Sequence, residues 1–234
     1  MWWDRSEPLE FYLAPSLVGG GADARWRACA GIDDALGELR RRVESQAGRV
    51  RLRVRLGSTL ARPWMLPADC GAKNAREAAA LAAMLAQDVT GAADAKVWCA
   101  PWRAGRPTLA TAVARATWDA LAALADDRRV RLESVRPWWN AALDDALARS
   151  RERAPALGFT LGEADGLVSA RVERGQVVDA SFDAPKGHDP QWQSLRRRLA
   201  ANWHELAAVE HLDFAAEGRT GAARPAPAAS GGGA

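Results

Sequence analysis

The sequence predicts a mixed α/β (α+β) chain in which sheets are flanked by helices. Three observations carry this. Arg49 to Leu56 reads RVRLRVRL, alternating guanidinium and aliphatic side chain at every step, which is the period of a half-buried strand. Helical segments with apolar residues three and four apart, such as Ile32 to Ser45 and the alanine-rich run after Asn74, separate the strands. From Gly158 to Phe182 short strands follow one another with only turns between, the pattern of an antiparallel meander.

Phe11 to Val18 (FYLAPSLV) is expected as the first strand, closed by a Gly19-Gly20-Gly21 turn, with Trp26 to Gly31 as its hairpin partner. In the helix of Ile32 to Ser45, Asp33 and Asp34 come first and Arg40 to Arg42 last, the order the helix dipole favours, and Leu36, Leu39 and Val43 form the apolar stripe. The next strand turns Val50, Leu52, Val54 and Leu56 one way and Arg49, Arg51, Arg53 and Arg55 the other. Gly57-Ser58 then turns the chain, and Leu60 to Leu66 returns as a partner strand ending at Pro67. Asn74 caps a helix to about Gln87, which Gly91 ends. Lys96 to Trp102 and Pro107 to Ala114 pair as a hairpin about Arg103 to Arg106. A helix from Thr117 or Trp118 to Asp126, a strand from Val130 to Val135, an interruption at Pro137 and a helix from Trp138 to Arg149 complete the first part.

Arginine and proline between Ser150 and Pro155 mark a boundary. Beyond it come strands at Gly158 to Leu161, Gly166 to Val172 and Val177 to Phe182. Asp189-Pro190 then begins a helix carrying Trp192, Leu195, Leu199, Trp203 and Leu206. From Glu217 the chain is poor in bulky apolar residues and reads as a disordered tail.

With 48% hydrophobic and 26% charged residues, the composition excludes disorder, collagen and coiled coil for the body of the chain. A net charge of +3 permits an acidic partner without requiring one. The three cysteines, Cys29, Cys70 and Cys99, are odd in number and far apart, which argues for free buried thiols over a disulfide framework or a zinc site. The start lacks a secretory signal pattern, and the longest apolar run, Ala78 to Ala86, falls short of the ~20 residues a membrane span needs. The expectation is a cytoplasmic chain with no membrane span of its own.

Catalytic motifs are sought and not found. His204-Glu205 starts a zinc-protease pattern, but Ala208 stands where the second histidine belongs. No serine sits in a nucleophile elbow, and His188, His204 and His211 all fall in the last quarter. No lysine follows glycines as a phosphate loop requires. The arginine ladder reads first as an antiparallel sheet face whose arginines keep an edge soluble or pair across strands, and second as a surface for phosphates or an acidic partner. Tryptophan is abundant, 11 against one Tyr and four Phe. Trp98, Trp118, Trp192 and Trp203 fall in core phase. In the adjacent pairs Trp2-Trp3 and Trp138-Trp139 both rings cannot easily face one core, so one of each pair is a candidate contact.

The order of these elements, carried by RVRLRVRLGSTLARPWMLP, TLATAVARATWDALAAL and VRLESVRPWWNAAL, resembles the actin-like cytoplasmic part of bacterial assembly proteins: the L-type protein of type II secretion and the M-type protein of type IV pili. The resemblance runs over residues 8–182 and implies an actin-like (ribonuclease-H-like) two-lobed fold. Residues 1–155 would form the first lobe, 156–216 a truncated second lobe of meander plus helix, and 217–234 the tail. Nucleotide-binding actin-like proteins carry a D-x-G-type loop in the first hairpin and D-x-G-G-G in the later lobe. Here Ala14 and Pro15 stand in the first loop, Thr160 replaces the second aspartate, and Glu163 lies inside the second loop, where a carboxylate repels phosphate rather than coordinating magnesium.

The resemblance therefore implies no catalytic residue, no cofactor and no metal. It implies a scaffold that binds inner-membrane pilus or secretion platform proteins and so sits at the membrane's cytoplasmic face through a partner. The L-type proteins continue into a transmembrane helix, and in ending on a tail this chain is expected to follow the M-type. The candidate interface comprises Trp2, Trp3, Arg49, Arg51, Arg53, Arg55, Trp138 and Trp139. A homodimer stays open. Nucleic-acid binding through the arginine strand and exposed tryptophans is the alternative, and an actin-like ATPase the third.

Overall fold

Pro15 sets the first departure from these expectations. In the computed structural model, which describes residues 7–21, 25–150, 156–163, 166–184 and 208–213, the stretch read as one strand is two. β1 (Leu9–Ala14) and β2 (Leu17–Gly20) form a hairpin turned at Pro15 and Ser16. Proline fixes φ and offers no N–H to a ladder, so the chain turns there and not at the glycines. Gly19 lies instead inside β2, beneath Trp26 of β3 (Arg25–Ala28), where a Cβ would come within 1.9 Å of the indole. Trp2 and Trp3, the helix expected from Asp189 and the expected tail lie outside the described residues.

Helix α1 (Ile32–Glu44) keeps its acid-first, base-last order and buries Ala35, Leu39 and Val43. It also buries Glu38, which is 2% exposed. Glu38 accepts from Arg27 of β3 at 2.6 Å, from Arg41 at 2.5 Å and from Arg42 at 2.6 Å, tying helix to hairpin.

In β4 (Val50–Leu56) the alternation is realised throughout, with Val50, Leu52, Val54 and Leu56 buried against α1. Its neighbours are not the expected ones. β4 pairs in parallel with β1 and with β8 (Val130–Pro137), in a five-stranded sheet ordered β3-β2-β1-β4-β8. The arginine strand is thus neither antiparallel nor an edge. Leu60 to Leu66 does not fold back on it either. After Gly57-Ser58 the chain leaves for a second sheet, ordered β5-β7-β6, in which β5 (Arg62–Leu66) and β6 (Ala95–Cys99) flank β7 (Thr108–Ala114).

Helix α2 (Ala75–Thr90) covers that sheet through Ala78, Ala82 and Ala86, which meet Trp64, Leu66, Ala110 and Ala112. Its start is a reciprocal cap: Asn74 Oδ1 accepts from Glu77 N–H at 3.0 Å while Glu77 accepts from Lys73 N–H at 2.9 Å. Gly91 closes it in the left-handed region, φ 74°. Asn74→Ala is expected to lower stability by about 1 kcal/mol, read as a shifted urea midpoint at unchanged slope.

α3 (Arg115–Ala122), with a 3-10 turn at Ala123–Asp126, and α4 (Trp138–Ser150) fall where the periodicity puts them, α3 opening two residues early. The third sheet is the expected meander of β9 (Ala156–Gly162), β10 (Leu167–Glu173) and β11 (Gln176–Asp183). It gains an unforeseen strand, β12 (Ala208–Asp213), which pairs in parallel with β9. One buried cluster joins this sheet to the first: Tyr12 and Ala14 of β1, Trp139 and Leu143 of α4, and Leu157, Phe159 and Val168. β1 therefore serves two cores, with Phe11 and Leu13 facing α1 and Tyr12 and Ala14 facing the meander.

Candidate functional site

Three places hold the candidate residues: the junction of β1, the loop after β4 and the β9–β10 turn, the arginine face of β4 and β8, and an apolar groove at the ends of those strands.

At the junction, the loop after β4 is pressed against β1. A Cβ on Gly57 would lie 2.7 Å from the Tyr12 hydroxyl, and Gly57 N–H donates to the Leu13 carbonyl at 2.8 Å. The β9–β10 turn approaches from the other side, with Gly166 against Phe182 and Ser58. Between them lies Glu163, 6% exposed, whose Oε2 accepts from Ser58 N–H at 2.6 Å and from the Tyr12 hydroxyl at 3.2 Å. Ser58 is fully buried. The sequence singled out Glu163 but not the two donors that hold it, which come from elements more than 100 residues away in the chain.

On the arginine face, Arg51, Arg53 and Arg55 project from β4 on one side of the sheet, as expected, while Arg49 precedes the strand and is exposed. The strand beside them was not foreseen. Arg51 stands opposite Arg131 and Arg55 opposite Arg136. Those two β8 arginines are five positions apart, so strict alternation would put them on opposite faces. A bulge after Leu132 inserts Glu133 and brings Ser134, Val135 and Arg136 back into step, so both arginines join the β4 row. Glu133 accepts from Arg51 Nε at 2.5 Å and from Arg53 Nε at 3.1 Å, and Arg55 donates to Glu10 at 2.5 Å. The Arg51 hydrogen bond above all holds the Glu133 carboxyl below the usual carboxylate range. The face encloses a depression of about 540 Å³ lined by Arg51, Arg53, Arg55, Arg131, Glu133 and Arg136. Among the described residues, five arginines of this face stand against Glu10 and Glu133.

The groove, of about 360 Å³, opens where the ends of β4 and β8 meet the second sheet. Leu56, Val135 and Pro137 line one side, Trp98, Cys99 and Leu109 the other, and Arg136 belongs to both depressions. Trp98, expected in the core, is 38% exposed at its lip, its ring 5.3 Å from that of Trp118, over which Lys96 Nζ lies at 3.6 Å.

The tryptophan pair of α4 divides. Trp139 is 3% exposed and donates its indole N–H to the Ala61 carbonyl at 2.8 Å, reaching the groove only as part of its floor. Trp138 is half-buried, edge-on to Tyr12 at 6.3 Å. The cysteines are free and half-buried rather than buried, and burial pushes the Cys99 thiol up.

No protein-family profile matches the chain, and no curated protein does. Solved structures match its fold, which is actin-like. A Bacteroides thetaiotaomicron protein described as having an actin-like ATPase fold and unknown function is 11% identical, with a TM-score of 0.54 over 87% of this chain and 80% of that one. The PilM–PilN type IV pilus biogenesis complex is 11% identical, with a TM-score of 0.52 over 93% of this chain and 69% of that one. The cytoplasmic domain of EpsL, an inner membrane component of the Vibrio cholerae type II secretion system, is 17% identical, with a TM-score of 0.46 over 89% and 82%. Among the described residues, no helix is long and apolar enough to cross a membrane.

Proposed function

We propose that this chain is a non-catalytic adaptor that binds a partner protein at the cytoplasmic face of a bacterial inner-membrane platform, of type IV pilus or type II secretion kind. Its first lobe ends near residue 155, and the sheet that follows is a reduced second lobe. The single observation that carries the non-catalytic half is Glu163. In nucleotide-binding relatives of this fold the two hairpin ends hold phosphates between them. Here Glu163, a buried carboxylate at the end of the later hairpin, reaches β1 and the loop after β4 and occupies the Ser58 N–H and the Tyr12 hydroxyl. A phosphate entering would have to displace Glu163 and then lie beside its negative charge in a poorly solvated place. The likeness to an assembly-protein complex of type IV pili supports the adaptor half.

Mg·ATP is accordingly expected to leave the melting temperature unchanged. A nucleotide at a hundredfold excess over its Kd would add about 2.7 kcal/mol, or roughly 5–10 °C for a chain of this size, and a rise of that order would overturn the reading. Cross-linked capture from native membranes tests the partner half: platform subunits are expected among the bound proteins, and their absence would overturn it.

A further inference from the structure

We propose that β6 is a pairing edge for a second copy of this chain. Two copies would join their second sheets into one continuous sheet through antiparallel β6 strands, related by a two-fold axis at Val97. This inference goes beyond the adaptor reading and does not rest on it.

A strand at the border of a sheet presents a row of backbone N–H and C=O groups that another chain can take up, and proteins guard such borders with short strands, charges, prolines or bulges. The other borders of the three sheets are of that kind or are covered. β3 is four residues long with two arginines, β8 carries a bulge, two arginines and Pro137, and β12 has Glu210, His211 and Asp213 among its six residues. β5 and β11 lie against each other. β6 reads Ala95-Lys96-Val97-Trp98-Cys99, with one charge, no proline and no bulge against β7, and it leaves Trp98 38% exposed.

The register with β7 says which groups face outward. Ala100 N–H donates to the Leu109 carbonyl at 2.8 Å and Arg115 N–H to the Asp94 carbonyl at 2.9 Å, and both bonds continue the β6–β7 register. In an antiparallel ladder, pairs that exchange hydrogen bonds alternate with pairs that do not. Lys96 and Trp98 therefore bond inward to β7, while Ala95, Val97 and Cys99 turn their N–H and C=O groups toward the open border.

The occupant follows from the symmetry of those three positions. A second β6 laid antiparallel, Val97 on Val97, sets Ala95 opposite Cys99 at either end, and each opposed pair exchanges two hydrogen bonds with no outward group left over. The side chains agree. Ala95, Val97 and Cys99 pack on the α2 side of the sheet, and Lys96 and Trp98 lie on the other. Trp98 of one copy then stands opposite Lys96 of the other in the closer kind of antiparallel pair, with Cβ atoms about 4.5–5.5 Å apart. That sets an ammonium within reach of each exposed indole. A strand of another protein would have to bring its own cation to Trp98, whereas a second copy brings one by symmetry.

Sedimentation of the full chain, from micromolar to several hundred micromolar, is expected to show a species of twice the monomer mass. Val97→Pro removes an outward N–H and no bond to β7, so it is expected to keep the circular dichroism spectrum and to weaken the dimer by about tenfold or more. Cross-linking reads the register independently of that variant. With Cys29, Cys70 and Cys99 replaced by alanine, Val97→Cys would place two thiols on Cα atoms about 5.5 Å apart, within disulfide reach. Diamide, which takes two electrons from the thiol pair, is then expected to give a disulfide-linked dimer. Met84→Cys in the same background is the control, since Met84 is 75% exposed on α2. A monomer at every concentration would overturn the interface and leave β6 to a strand of another protein. So would a folded proline variant that dimerises like the parent, or a Val97→Cys chain that cross-links no faster than the Met84→Cys control.

Discussion

Phe159→Ala is expected to lower the unfolding free energy by about 4 kcal/mol, within the range for truncating a fully buried phenylalanine. Phe159 has no exposed surface and lies on β9, between β10 and β12. Its cluster reaches across to Tyr12 and Ala14 on β1 and to Trp139 and Leu143 on α4, so the void left by the ring would sit where two sheets and a helix meet. Because that cluster is shared, the meander and the first sheet are expected to unfold together: circular dichroism and tryptophan fluorescence should trace one urea transition, displaced but not split by the substitution. A loss below about 1 kcal/mol would contradict the packing described. Two separate transitions in the parent would mean that the second lobe stands without the first.

How much of this was legible in the sequence depends on the range of the interaction that decides each feature. The alternation of β4 and the capping of α2 are written within a few residues, and both stand as read, with Asn74 accepting from Glu77 and Gly91 closing the helix. The partners of β4 are not local. Arg51 meets Arg131 across 80 residues, and nothing in RVRLRVRL says whether its neighbour is parallel. The bulge at Glu133 was hidden for the same reason: VRLESVRP looks out of phase until it is laid against β4, when the extra residue becomes the one that restores the row of cations. Pro15 was a local signal outweighed by the more conspicuous glycines, although a proline amid a strand pattern is itself reason to divide it. β12 follows a stretch with helical periodicity and pairs with a strand some 50 residues earlier, so its six residues carried little signal of their own. Glu163 stood out in the sequence as a departure from a phosphate loop. Its meaning, a carboxylate seated on Ser58 and Tyr12, needed the fold to bring β1, the loop after β4 and the β9–β10 turn together.

Glu38→Gln is the second large effect expected, a loss of about 3 kcal/mol at neutral pH, at the low end for breaking a buried ion pair because two of its three arginines reach solvent. Burial alone would raise this carboxyl. Hydrogen bonds from Arg42, Arg41 and Arg27 outweigh it and hold the group down at about 2, against an ordinary 4.5. A carboxyl depressed on folding stabilises the chain while it is ionised, so its contribution is full above about pH 4.5, declines as the pH falls and is gone near pH 2. The expected signature is a difference between two curves. Parent and Glu38→Gln should differ most near neutrality and converge as acid is added, whatever the other carboxylates do to both. A gap that stays constant from pH 7 to pH 2 would show that Glu38 acts by shape rather than by charge. In that case β3 would be held to α1 by packing, and the three arginines gathered around one buried oxygen pair would contribute no net stability.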